Sequence, residues 1–120
     1  MARARISDGD GREALARVGS GATDRNAVAT AVRYTLQRLA DIAPGHTVEV
    51  RVPPFAAVQC VDGPRHTRGT PPNVIEMDAT TWLALALGTT PWEEALASGS
   101  VHASGSRADL GGLLPLRLPV

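Results

Sequence analysis

The sequence contains no lysine. All twelve basic residues are arginine, and twelve acidic residues bring the net charge to zero. Without lysine there is no Schiff-base amine and no P-loop lysine. Without a basic excess, the electrostatic footprint of a nucleic-acid binder is missing, and net charge gives no steering toward an anionic membrane. Aromatic residues are equally scarce, at 3% of the chain: Tyr34, Phe55, Trp82 and Trp92. A surface that stacks bases needs several aromatics in alternation, which this chain does not supply. Cys60 is the lone cysteine, which excludes an internal disulfide and a cysteine-rich zinc site. A reducing compartment is the simpler setting for it. His46, His66 and His102 lack zinc-ligand spacing, so neither a metal nor a cofactor is expected. The longest apolar run, Trp82–Leu87, is far shorter than a membrane span. No apolar segment of the secretory kind follows Met1–Ile6, and the chain reads as soluble and cytoplasmic.

What is present is ordinary globular composition, 43% hydrophobic and 20% charged over 120 residues. That length predicts one domain, burying roughly 65% of its unfolded surface. Residues 1–22, rich in Gly, Asp, Arg and Ser, read as a flexible leader, with residues 23–120 as the domain. Thr23 or Asp24 caps a long helix whose apolar stripe runs through Ala27, Val28, Ala31, Val32, Leu36, Leu39 and Ile42. Pro44-Gly45 ends it. Thr47–Val52 alternates as a strand, and Pro53-Pro54 breaks it. Phe55–Val61 follows as a second strand, predicted to pair antiparallel with the first. After the loop Asp62–Pro72 comes a third strand over Asn73–Met77.

The C-terminal half carries a stop signal at almost every joint. Asp78 caps the helix Ala79–Leu87 and Gly88 closes it. Thr90-Pro91-Trp92-Glu93 has the form of a capping box with proline at the first helical position. Gly99 ends that helix, Ser100–Ala103 forms a short strand, and Ser106 with Asp109 starts a last helix reaching Leu114.

This arrangement resembles sterol-carrier-like domains. The carriers of the resemblance are Asp78, Gly88, Pro91–Leu96, Gly99–Gly105 and Ala108–Leu114. The strings PPFAAVQC and GPRHTRGTPPN are similar to a bacterial orthologue group of that family, and the resemblance spans about Thr23–Leu116. The chain departs from the family in lacking a Ser-Lys-Leu ending and in showing four clear strands where five are usual. The expected fold is therefore α/β of the α+β type. A mostly antiparallel sheet of four to five strands would carry a long N-terminal helix and short C-terminal helices.

The resemblance implies non-catalytic binding of a lipid or other apolar ligand, in a pocket between the C-terminal helices and the sheet. Trp82, Leu83, Leu87, Trp92 and Leu96 are the candidate contacts from the helices. Val101, Leu110, Leu113 and Leu114 could line the same space. Each of these also reads as plain core packing. Arg65, His66 and Arg68 share the long loop and have the chemistry to hold a carboxylate or phosphate head. An empty apolar pocket of about 300 Å³ would cost on the order of 7 kcal/mol, comparable to a whole domain's stability. The free protein must therefore collapse it, hydrate it or carry a ligand. The alternative reading is a protein-interaction or enzyme-accessory module with a collapsed core, including a homodimer. An enzyme using Cys60 or His66 is a third, weaker reading.

Overall fold

The structure, a computed structural model, describes residues 4–63 and 72–119. The described helices are α1 (Asp8–Gly19), α2 (Arg25–Ile42), α3 (Ala79–Leu87) and α4 (Trp92–Ala97). The strands are β1 (Val48–Val52), β2 (Ala56–Cys60), β3 (Asn73–Glu76) and β4 (His102–Ser104).

Local capping chemistry sets the strongest boundaries. The Asp24 carboxylate accepts from the Ala27 amide at 3.1 Å and starts α2. Asp78 accepts from the Thr81 amide at 2.8 Å and starts α3. Gly88 ends α3 with φ +83°, a left-handed conformation that glycine adopts without steric cost. The Thr89 amide then returns to the Ala84 carbonyl at 2.8 Å.

β1 and β2 form the expected antiparallel hairpin, with Val48 opposite Cys60 and Val52 opposite Ala56. The turn closes through the Phe55 amide and the Val52 carbonyl at 2.9 Å, and its Pro53-Pro54 bond is cis. The sheet order is β2-β1-β3-β4, with β1 and β3 parallel. This corrects the expectation of a mostly antiparallel sheet. The reason lies in the ends of the second connection. β2 finishes with Cys60 beside Val48, and β3 begins with Asn73 beside Val48 on its other side. A chain that crosses the starting end of β1 and re-enters there must run parallel to it. Val48, Val50, Val52 and Ile75 are fully buried on the helix-covered face. Glu49 and Arg51, in mutual contact, occupy the opposite face.

Three further expectations change. The segment expected to be a loose leader contains α1, capped by Ser7 and packed on α2. Tyr34, fully buried, donates from its hydroxyl to Asp8 at 2.8 Å and lies against Gly11. Second, α4 has no capping box: Pro91 itself occupies the cap position in extended conformation, and no side chain caps the helix. Third, among the described residues no helix forms after Ser106. The Asp109 carboxylate accepts from the Gly111 amide at 2.8 Å, which makes a turn of the sequence meant to start a helix. Gly111 and Gly112 would each cost about 1 kcal/mol inside one. Instead Leu110 plugs into the core, and the Leu116 amide reaches the Ala86 carbonyl at 3.0 Å.

Candidate functional site

The candidate residues of the C-terminal half divide between core and surface. Trp82 and Leu110 are fully buried, and Leu83, Trp92 and Val101 belong to the same core cluster. The Trp82 indole donates to the Thr35 hydroxyl at 2.7 Å, and that hydroxyl turns back to the α2 carbonyls of Ala31 and Val32. Leu113 and Leu114 are partly buried against the cluster. Leu87 and Leu96 are exposed, at 44% and 40%. Of these nine residues, Trp92 and Leu114 come together at a surface cleft of about 350 Å³, with Gly88, Thr90, Glu93 and Gly111 on its walls. Arg65, His66 and Arg68 lie outside the described residues.

A larger and more apolar cleft, about 470 Å³, opens between α2 and the edge strand β2. Leu36 contributes from α2, and Ala56, Ala57 and Val58 from β2. Ala4, Arg5 and Ile6 form a third wall. Thr30, Arg33 and Gln37 supply the polar groups. Side-chain size contributes to the space: Ala56, on the same face of β2 as Val58 and Cys60, stands where a strand facing a helix would ordinarily present a larger group. Ala56 in PPFAAVQC was the available sequence signal, and periodicity alone does not show it, because alanine satisfies an apolar pattern while leaving a gap.

Arg33 is half-buried, and its Nε donates to the Phe55 carbonyl at 3.4 Å. About two turns back along α2, the Arg25 guanidinium lies 5.4 Å from the centre of the Phe55 ring. Arg5 makes a two-pronged contact with Asp41, at 3.2 and 2.6 Å. The hydrogen bond and charge of Arg5 hold the Asp41 carboxyl below its ordinary range, and the same bond raises the Arg5 pKa. A polar groove of about 540 Å³ runs on the other side of the Ala4–Ile6 segment, between α1 and α2. It carries Asp10, Glu13, Arg17 and Asp24, and the Arg17 guanidinium lowers the Asp24 pKa through a 2.9 Å bond.

The residues weighed for chemistry are dispersed. Cys60 is fully buried at the end of β2, and burial pushes its thiol up to about 11. His46 shares a 2.9 Å contact with Gln59, and His102 is exposed on β4. Among the described residues no group of three or more His, Cys, Asp or Glu side chains is arranged to hold a metal ion. Among the same residues no helix is long and apolar enough to cross a membrane.

Residues 24–116 match the family model described as bacterial SCP ortholog. The chain belongs to that family. The match begins at Asp24, the cap of α2, and ends at Leu116, the residue bonded to α3. It therefore covers the sheet and α2 to α4 of this sterol-carrier-like domain, while α1 and the Ala4–Ile6 wall lie outside the matched segment. A comparison with curated proteins finds no match.

Proposed function

We propose that this sterol-carrier-like domain reversibly binds an apolar or amphipathic small molecule, without covalent chemistry, in the cytoplasm. The observation that carries the reading is the cleft between α2 and β2. Its volume of about 470 Å³ falls within the range of small-molecule sites, roughly 300–1,000 Å³. An apolar tail would lie on Ile6, Leu36 and Val58, and an acidic head would face Arg33. Family membership supports the lipid-like class of ligand. The smaller cleft at Trp92 and Leu114 is the second location within the same reading.

Mass spectrometry of the purified protein, native and then after organic extraction, tests this directly. A stoichiometric lipid supports a carrier and names its class. No co-purified molecule, together with no shift in melting temperature on adding fatty acids or sterols, would sink the proposal. A protein-interaction module is the competing reading, and exposed Leu87 and Leu96 on α3 and α4 favour it. It predicts self-association or pull-down that Leu96→Ser weakens.

A further inference from the structure

We infer that the segment Ala4–Ile6 is a movable wall of the α2–β2 cleft, latched to α2 by Gln37 and Asp41, and that Gln37 governs how fast ligand enters and leaves. This role in ligand exchange rests on the binding reading above. The mobility of the wall does not, and it can be tested without ligand.

The latch is built from one face of one helix. Gln37 and Asp41 are four residues apart on α2, so their side chains stand one above the other. The Ile6 amide donates to Gln37 Oε1 at 2.9 Å, and Gln37 Nε2 donates back to the Ile6 carbonyl at 2.9 Å. The carboxamide thus pairs with the peptide of Ile6 as a neighbouring strand would. Arg5 is tied to Asp41 a turn further on. Ala4 and Arg5 are exposed and Ile6 is half-buried. The downstream end is anchored separately: Ser7 caps α1 through the Asp10 amide at 3.1 Å. The pivot therefore lies at Ser7, where the extended segment meets the helix.

The position of the wall gives it a consequence. Arg5 and Ile6 line both the apolar cleft and the polar groove, with Thr30 beneath both. They form the partition between the two spaces. Lifting the partition joins the apolar cleft to the polar groove and opens a side path to Leu36 and Val58. The two part-buried Gln37 bonds open more readily than a fully buried ladder, because water from the adjoining clefts can replace each lost partner. The matched family segment starts at residue 24, so this wall lies outside the matched segment.

The experiment compares wild type with Gln37→Leu, which keeps helix propensity and volume but removes both bonds to Ile6. Asp41→Asn serves as a milder second variant. Amide hydrogen exchange of Ile6 is followed alongside the core amides of α2, and release of cis-parinaric acid is followed by stopped-flow fluorescence. In wild type, Ile6 should exchange by a local opening insensitive to low denaturant, faster than the α2 core. Gln37→Leu should speed that exchange at least 10-fold and parinarate release by about as much, with a smaller effect from Asp41→Asn. Exchange of Ile6 only with global unfolding overturns the movable wall. Faster Ile6 exchange with an unchanged release rate overturns its control of ligand exchange. Wild type that takes up no parinarate, while Ile6 opens locally as expected, supports the movable wall and counts against the binding reading alone.

Discussion

The indole nitrogen of Trp82 donates to the hydroxyl oxygen of Thr35 at 2.7 Å, joining α3 to α2 across 47 positions of sequence inside the core. Both side chains are fully buried. Thr35 answers a polar question that the tryptophan raises, since a buried indole N–H without an acceptor is costly. Thr35→Val keeps the shape and removes the acceptor. It should destabilise the domain by about 1–3 kcal/mol, seen as a lower urea midpoint with an unchanged slope. A loss well below that range would mean the indole finds another partner.

Gly11 is where α1 closes on α2. A Cβ there would overlap the Tyr34 ring, which is fully buried. Gly11→Ala should cost about 1–3 kcal/mol as overpacking. It should also raise hydrogen exchange in α1 more than in β1. Uniform exchange changes across the chain would argue against a separate docking of α1.

Cys60 should stay unalkylated by thiol reagents until the protein unfolds, because burial holds the thiol protonated and out of reach. The sign of the pH effect follows. From its ordinary value of 9.0 up to about 11, the unfolded chain gives up a proton that the folded chain keeps. Stability contributed by the neutral thiol is complete below pH 9 and declines across that window, by about 2–3 kcal/mol in all. Cys60→Ala should flatten this part of the denaturation profile. Labelling of native protein at neutral pH as fast as of a free thiol would contradict the assignment.

At the α2–β2 cleft, Arg33→Ala should weaken binding of a long-chain carboxylate about 5- to 50-fold while changing binding of the matching alcohol less than 3-fold, the difference expected for loss of a charge-assisted bond. Calorimetric titration of the pair checks it. Equal losses for acid and alcohol would point to damaged packing instead of lost head-group recognition.

The legible part of this protein was its local grammar. Asp24 and Asp78 declare helix starts because a carboxylate and an amide three residues on suffice to make the cap. Gly88 declares a stop because only its own backbone must turn left-handed. The Val48–Val50–Val52 alternation declared a half-buried strand, and all three side chains are buried. The same grammar misled where two local preferences compete. Ser106 and Asp109 read as a helix start, but Asp109 spends its side chain on the Gly111 amide and the two glycines that follow favour a turn. Pro91 read as a first helical residue, yet it serves as the cap itself.

The sequence alone therefore determined the elements with short-range causes: α2, α3, the β1–β2 hairpin, and the family signature over residues 24–116. Tertiary structure decided what depends on residues far apart. It set β3 parallel to β1, because Asn73 re-enters beside Val48 from across the strand's end. It made a packed helix of Asp8–Gly19, because Tyr34 offers that segment a surface its own composition does not advertise. It put an apolar cleft of about 470 Å³ against Ala56 and Val58, because a gap is a relation between a strand and the helix above it, and no single stretch of sequence contains both.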